Sequence, residues 1–178
     1  MKAARTGGTS MLRHSLEKTH LDIFHFKDHP QRFKAWLRRI DDHHLTEYFV
    51  FSFVRNPWDR AVSIACYFGI PFKDFLANFV ARTSKNNNLL QHALPLHHYT
   101  HLGEKRFTDF IGKFEQLQSD FDVVCDRLDL ERQPLRKSSS SKRTNYQTYY
   151  DRDAKALVDA IYGRDAELFE YQFDTSKL

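Results

Sequence analysis

The first chemically informative segment lies at the start of the chain and reads Arg5-Thr6-Gly7-Gly8-Thr9-Ser10. Two adjacent glycines let the backbone turn sharply and pass close to a ligand. Residues 9–19 follow as a predicted short helix, whose first N–H groups lack helical partners and whose dipole adds partial positive charge. Thr9 and Ser10 add hydroxyl donors, and Arg5 adds a positive charge. Together these features predict a pocket for a phosphate or sulfate group. The simpler alternative is a Gly-Gly turn with a threonine N-cap.

This segment differs from the phosphate-binding loop of ATPases. That loop has four residues between its glycines and ends in Gly-Lys-Ser/Thr, and the chain has neither feature. The Mg²⁺ chemistry of such enzymes therefore does not follow from the glycine pair.

The second segment is Arg55-Asn56-Pro57-Trp58-Asp59-Arg60-Ala61-Val62-Ser63. Arg55 ends a predicted buried strand, where side chains open above the carboxyl edge of a sheet. Ser63 lies about two turns into the helix that follows. An anion over the start of that helix can contact both residues. The structural alternative is an arginine in an ordinary ion pair.

Three histidines, His97, His98 and His101, form a third cluster. In a helix, His97 and His101 would share one face, but no glutamate completes a zinc motif and Pro95 precedes them closely. We therefore expect no metal and interpret the segment as a loop facing an acceptor, since loops over a rigid sheet commonly carry specificity.

The elements that position these residues alternate between strand and helix. Residues 48–54 are almost wholly apolar, aromatic or β-branched and predict a strand buried on both faces. A helix starts directly after it, with Asn56 as the cap and Pro57 in the first turn. The remaining predictions are a helix over 71–82, polar loops at 83–88 and 138–141, a strand within 107–114, a helical face at 121–128, and a helix over 151–162 ended by Gly163. This alternation predicts an α/β domain with helices on a mostly parallel sheet.

Length and charge restrict the class of protein. The chain has 178 residues, which predicts one domain over residues 1–178. Lys and Arg outnumber Asp and Glu by 27 to 23, a mild excess that suits an anionic ligand but not a nucleic-acid-coating protein. No apolar run is long enough to span a bilayer, and the first residues do not form a secretory signal. Two distant cysteines favour a reducing compartment, so we expect a cytoplasmic protein.

Together, the two anion segments resemble the sulfotransferases that use 3′-phosphoadenosine 5′-phosphosulfate (PAPS), especially the carbohydrate enzymes of Golgi and bacterial type. The first segment is similar to the family's 5′-phosphosulfate loop, and the second to its 3′-phosphate motif of an arginine and a serine eight residues apart. Similarity continues at 109–115, 149–150 and 162–173, and so covers nearly the whole chain. It implies a three-layer, P-loop-like domain with a mostly parallel sheet flanked by helices.

The resemblance also implies roles for individual residues. The enzyme would transfer a sulfuryl group from PAPS to a hydroxyl of a carbohydrate acceptor by in-line displacement, without a metal. Residues 5–10 would bind the phosphosulfate. Arg55 and Ser63 would bind the 3′-phosphate, and Lys142 and Arg143 would close over that phosphate. Arg5 occupies the position of the family's catalytic lysine, and the two side chains are not interchangeable at a reacting centre.

The family's general base is a histidine or a glutamate, and two histidines are candidates here. His29 precedes Pro30 at the start of a predicted helix, where the dipole helps to keep an imidazole neutral. His25 lies on a predicted extended run at residues 21–26, which precedes that helix, and is the second candidate.

Two alternatives to a sulfotransferase stay open at the level of sequence. The first is a protein that binds the nucleotide without turnover, because Arg5 replaces lysine. The second is a phosphotransferase using ATP and Mg²⁺, against which the absent Gly-Lys-Ser/Thr argues. The acceptor, the organism and the oligomeric state cannot be read from the sequence.

Overall fold

The structure is a computed structural model that describes residues 48–135 and 144–174. Within these residues the chain forms two compact units. The strand unit contains residues 48–54 and 98–135, and the helical unit contains residues 55–97 and 144–174. The single domain over 1–178 stays a prediction.

The described residues contain strands, α-helices and short 3₁₀ turns. The strands are β1 (Phe51–Val54), β2 (His101–Leu102), β3 (Lys105–Arg106) and β4 (Phe110–Lys113). The helices are α1 (Pro57–Phe68), α2 (Phe72–Ala77), α3 (Phe79–Lys85), α4 (Asn87–Ala93), α5 (Leu117–Arg127) and α6 (Arg152–Leu168). The 3₁₀ turns are Leu96–Tyr99, Phe114–Gln116 and Tyr146–Tyr149.

In the strand unit, β1 and β4 form a parallel pair, with Phe51 opposite Phe110 and Val54 opposite Lys113. The Asp109 carboxylate accepts a hydrogen bond from the Val50 N–H at 2.7 Å, which fixes the start of the pair. Both predicted strands are therefore present, and the prediction of a mixed α/β chain with parallel pairing is confirmed. The three-layer, P-loop-like arrangement stays a prediction. A second, antiparallel pair joins β2 and β3.

The core of the strand unit lies between β1 and α5. Phe53 packs with Phe121, Val124 and Cys125, all almost fully buried. These three residues form the helical face that their spacing predicts. Asp120 of α5 also accepts a hydrogen bond from the Lys113 N–H at 2.6 Å, which ties the helix to the end of β4.

In the helical unit, the core forms where α1 packs with α2, α4 and α6. It holds buried residues that are mostly aliphatic and aromatic, including Trp58, Val62, Ile64, Phe75, Leu89, Val158 and Tyr162. The predicted start of α1 is confirmed, because the Asn56 side chain accepts hydrogen bonds from the N–H groups of Trp58 and Asp59. Gly69 ends α1 with φ of 65°, a left-handed conformation that favours glycine.

The single helix predicted over 71–82 is wrong, because the structure divides it into α2 and α3 at Asn78. The Asn78 amide Nδ2 donates to the Asp74 carbonyl at 3.2 Å and to the Asp74 carboxylate at 2.7 Å. Such local side-chain bonds compete with the helical backbone bonds, and Asn78 leaves helical geometry with ψ of 21°.

The polar loop predicted at 83–88 is also wrong, because it holds the end of α3 and the start of α4. Thr83 is buried and its hydroxyl donates to the Phe79 carbonyl at 2.8 Å within the helix. Asn86 caps α4 by accepting a hydrogen bond from the Leu89 N–H at 3.0 Å. Polar composition here marks a helix cap rather than an irregular loop.

Gly163 does not end the last helix as predicted, because α6 continues to Leu168. Asp165, Ala166 and Phe169 beyond it are buried. Glycine in a helix interior costs about 1 kcal/mol relative to alanine, which this burial outweighs. The predicted elements at 9–40 and the serine loop at 138–141 lie outside the described residues.

Candidate functional site

The structure brings Arg55 and Ser63 together. Arg55 follows β1 directly, and its Nη1 donates a hydrogen bond to the Ser63 Oγ at 3.3 Å. Both residues are buried, with 6 % of Arg55 and none of Ser63 exposed. Ser63 meets Arg55, eight residues earlier, because α1 begins at Pro57 and Ser63 lies about two turns into it.

Asp59 forms an ion pair with the same guanidinium. Arg55 Nε donates to the Asp59 carboxylate at 2.7 Å, and the Nη2–carboxylate distance is 2.5 Å. The ion pair that the structural alternative requires is therefore present. It also holds the planar fork of Arg55 in a fixed orientation, which a binding site needs.

The first backbone N–H groups of α1 are already satisfied. The Asn56 carboxamide accepts from Trp58 N at 3.0 Å and from Asp59 N at 3.1 Å. An anion at this site would therefore be bound by the Arg55 and Ser63 side chains rather than by these two amides. The site differs in this respect from an open helix N-terminus.

Two tyrosines anchor α1 and α4 from the far end of the sequence. The Tyr150 hydroxyl donates to the Trp58 carbonyl at 2.9 Å, and the Tyr162 hydroxyl donates to the Ala93 carbonyl at 2.7 Å. Burial raises the pKa of both phenols well above the ordinary value. Both therefore stay protonated and act as permanent hydrogen-bond donors to the backbone.

The Trp58 ring of α1 is held by two contacts. Its Nε1–H donates to the Asp159 carboxylate at 2.8 Å, and the Phe173 ring meets it edge to face at 5.4 Å between centroids. The residues flagged by resemblance at 149–150 and 162–173 thus support the helix that carries Ser63.

Sequence reasoning missed a buried carboxylate, Asp165, which is 1 % exposed. It accepts hydrogen bonds from Leu96 N at 2.5 Å and His97 N at 2.9 Å, and contacts His97 Nδ1 at 2.7 Å. It therefore ties the 3₁₀ turn at Leu96–Tyr99 to α6. The two partners lie 68 residues apart, and no local pattern signals such a pair.

Sequence reasoning also missed Arg60, which is 1 % exposed. Its Nη2 donates to the His92 and Leu94 carbonyls, both at 2.7 Å, and its guanidinium lies 5.6 Å from the centre of the Tyr162 ring. Arg60 thereby satisfies carbonyls at the end of α4, where helical partners are lacking. The bonded carbonyls lie 32 and 34 residues from Arg60, so no local pattern signals these contacts.

The histidine cluster forms a 3₁₀ turn followed by the start of β2. His97 contacts Asp165, and the ring of His101 lies 2.8 Å from the Thr100 hydroxyl. In residues 48–135 and 144–174, no group of three or more His, Cys, Asp or Glu side chains is arranged to hold a metal ion. The acceptor-facing role of this segment stays a prediction.

The other predicted site residues lie outside the described part of the chain. They are the first anion segment, the two candidate bases and the two late cations: Arg5, Thr6, Gly7, Gly8, Thr9, Ser10, His25, His29, Lys142 and Arg143. Their roles stay predictions.

Comparison with known proteins shows the family to which the chain belongs. Residues 9–172 match the model of the Sulfotransferase family, and the chain belongs to that family. It therefore carries a transferase domain of the kind that moves sulfuryl groups. An uncharacterized protein of Archaeoglobus fulgidus is 30% identical over 119 residues, which are 63% of this chain and 95% of that protein. No solved structure matches the chain significantly.

None of the helices in residues 48–135 and 144–174 combines the length and the apolar character needed to cross a membrane.

Proposed function

We propose that the protein transfers a sulfuryl group from PAPS to a hydroxyl of a carbohydrate acceptor. The observation that carries the proposal is the hydrogen bond of Arg55 to Ser63 within a chain of the sulfotransferase family. The carbohydrate acceptor follows from the resemblance to the carbohydrate enzymes. The single domain over 1–178 and its three-layer, P-loop-like architecture are part of the same proposal.

The donor groups at this pair suit a phosphate. A guanidinium presents several N–H groups in a plane, and a hydroxyl adds one more donor, so that both match phosphate oxygens. The Arg55 side chain is only 7% exposed, and reduced contact with water strengthens its attraction for an anion. Asp59 offsets part of the positive charge while it holds the fork in place.

The proposed reaction then divides between the two ends of the nucleotide. Arg55 and Ser63 hold the 3′-phosphate, with Lys142 and Arg143 closing over it. The amides of residues 7–10 and the Arg5 guanidinium stabilise charge on the phosphate that leaves when the sulfur–oxygen bond breaks. His29, or else His25, takes the proton of the attacking acceptor hydroxyl. The protein's contribution is alignment and electrostatic stabilisation.

A second candidate is nucleotide binding without turnover, which Arg5 at the family's lysine position favours. Arginine keeps the charge but gives up a proton less readily than lysine. In that case Arg5→Lys creates or raises sulfated product, whereas an active wild-type protein needs no such change.

The test is calorimetric titration with adenosine 3′,5′-bisphosphate, followed by an assay for sulfated sugar with PAPS. We expect saturable 1:1 binding and product formation. A folded protein that shows no binding at high micromolar ligand contradicts the proposal. Binding without product from the wild type, together with product from Arg5→Lys, identifies nucleotide binding without turnover.

A further inference from the structure

The contacts of Arg55 fix which edge of its guanidinium faces which neighbour. The Asp59 carboxylate accepts a hydrogen bond from Nε at 2.7 Å and lies 2.5 Å from Nη2. These two nitrogens form the side edge of the planar fork, which pairs with a carboxylate through two parallel bonds. Nη1, at the other end of the fork, donates to the Ser63 Oγ at 3.3 Å. Asp59 therefore takes the side edge and turns Nη1 toward Ser63.

The first turn of α1 uses its backbone nitrogens within the protein. Pro57 has no N–H group, and the Asn56 carboxamide accepts from Trp58 N and Asp59 N. The Arg60 N–H donates to the Asn56 carbonyl at 2.9 Å. Backbone amides at the start of a helix commonly bind anions, but here they have internal partners. A phosphate beside Arg55 therefore depends on side chains, and above all on the orientation of the guanidinium.

The orientation of this guanidinium is set before any ligand binds. A long arginine side chain loses conformational freedom when a ligand immobilises it, and this loss weakens binding. The bidentate contact with Asp59 fixes both the position and the plane of the fork in advance. The Arg55 side chain is only 7% exposed and the Asp59 side chain 19%, so water competes little for the contact.

We propose that Asp59 is a positioning residue that sets the preference of this site for nucleotides with a 3′-phosphate. The proposal deepens the proposed function and rests on it. Asp59 acts through Arg55, because its carboxylate holds the side edge while the phosphate meets the part of the fork that faces Ser63. Repulsion between the carboxylate and the phosphate has the opposite sign, because it predicts that removing Asp59 strengthens binding. The direction of the change therefore separates the two effects.

The experiment compares two nucleotides by calorimetry, adenosine 3′,5′-bisphosphate and adenosine 5′-monophosphate. The monophosphate lacks the group that Arg55 binds, so the ratio of the two affinities reports on the 3′-phosphate site. Asp59→Ala removes both carboxylate oxygens, whereas Asp59→Asn keeps one oxygen that accepts from Nε. Asp153→Ala is the matched control, since Asp153 is an exposed acidic residue in the first turn of α6.

We expect Asp59→Ala to weaken bisphosphate binding about tenfold and Asp59→Asn to weaken it about threefold, as for the loss of an oriented, charge-assisted contact. Both variants bind the monophosphate as the wild type does. Asp153→Ala changes neither affinity. The preference for the bisphosphate therefore falls in the order wild type, Asp59→Asn, Asp59→Ala. A role of Asp59 in stability alone lowers the melting temperature and leaves this preference unchanged.

Phosphorus NMR at saturating bisphosphate gives a second measurement with an internal reference. The 3′- and 5′-phosphates have separate resonances. In Asp59→Ala we expect the resonance of the bound 3′-phosphate to move away from its wild-type position, because the guanidinium beside it is no longer held in one plane. The resonance of the 5′-phosphate stays at its wild-type position.

Unchanged or tighter bisphosphate binding in the Asp59 variants overturns the proposal, and so do equal losses for the two nucleotides. If Asp59→Ala does not fold, the ratio measured for Asp59→Asn decides. The proposed function fails separately, when the folded wild type binds no bisphosphate. A wild type that prefers the bisphosphate, with Asp59 variants that keep the same preference, refutes the positioning role alone.

Discussion

At the scale of single residues, the contacts of Arg55 combine an ion pair with the proposed phosphate site. Its Nε and Nη2 hold Asp59, and its Nη1 reaches Ser63. A side chain held in this way loses little further conformational freedom when it binds an anion, which favours affinity. The ion pair and the phosphate site are thus compatible rather than competing interpretations.

The first prediction concerns this guanidinium. Arg55→Lys keeps the charge but loses the planar fork, and we expect it to weaken binding of adenosine 3′,5′-bisphosphate by about 10- to 100-fold, the range for hydrogen bonds to charged groups. Ser63→Ala removes one neutral donor and weakens binding by about fivefold. Calorimetry measures both constants. Lower melting temperatures with unchanged affinity would assign Arg55 a structural role only.

The second prediction concerns Asp165, which accepts bonds from two backbone N–H groups and contacts a histidine. Asp165→Asn turns one acceptor into a buried donor that faces other donors. We expect a loss of about 2–3 kcal/mol in the free energy of unfolding, measured in urea. The control is Asp153→Asn, an exposed change on the same helix that stays within about 0.5 kcal/mol.

At the scale of elements, side-chain hydrogen bonds and buried surface decide where helices begin and end. The fold divides the predicted 71–82 helix at Asn78 and extends α6 through Gly163. At Asn78 a side-chain hydrogen bond outweighs the local helix propensity, and at Gly163 buried surface does. Helix propensities differ by only about 1 kcal/mol per residue.

The third prediction uses the contrast between two glycines. Gly163 lies inside α6, and a methyl group there meets nothing within 4 Å. Gly163→Ala should therefore stabilise the protein by roughly 0.5–1 kcal/mol.

Gly112 provides the opposite case on β4, because a methyl group there would overlap the Phe53 ring. Gly112→Ala should destabilise the protein by about 1–3 kcal/mol, since the ring must move within a packed core. Thermal unfolding compares the two variants. A destabilising Gly163→Ala would show that the α6 backbone at this point is not regular helix.

The fourth prediction concerns pH and the N-terminus of α6. Asp151 caps this helix through Ala154 N and contacts Lys73 at 2.5 Å. The hydrogen bond to Lys73 holds the pKa of Asp151 below its ordinary value, with the Ala154 N–H adding to the effect. Because the folded-state pKa is lowered, the stabilisation is present above the unfolded value of about 4 and is lost as pH falls through the folded value.

The measurement compares the wild type with Asp151→Asn from pH 7 down to pH 2. Asparagine keeps the cap but not the charge. We expect the variant to melt at a lower temperature at pH 7 and the difference to shrink below about pH 4. A difference that stays constant over this range contradicts the assignment of the stabilisation to the carboxylate charge. High salt reduces the difference as well, since the pair is exposed.

At the scale of the whole molecule, binding and stability are linked. The fifth prediction is that adenosine 3′,5′-bisphosphate raises the melting temperature by an amount equivalent to about 2.7 kcal/mol at 100 times its dissociation constant. ATP with Mg²⁺ should give a much smaller shift, because the Gly-Lys-Ser/Thr sequence of a P-loop is absent. A larger shift with ATP and Mg²⁺ than with the bisphosphate would restore the phosphotransferase alternative.

Local sequence determined a definite part of this protein. The strand before Arg55, the Asn56 cap, the apolar face of α5 and the approach of Ser63 to Arg55 all follow from spacing and from short-range chemistry. These features depend on residues within a few turns of one another, where backbone geometry restricts the outcome. The family resemblance rested on residues 5–10 and 55–63 together, with further similarity at 109–115, 149–150 and 162–173.

Only the tertiary structure decided the rest. The binding of Asp165 to the 96–97 backbone, the contacts of Arg60 with the end of α4, and the tyrosine bonds to α1 and α4 join segments 32 to 92 residues apart. The continuation of α6 past Gly163 to Leu168 was also decided by the tertiary structure. The physical reason is that burial and hydrogen bonding between distant segments contribute more free energy than local propensities do, and periodicity along the chain carries no information about which distant partners will meet.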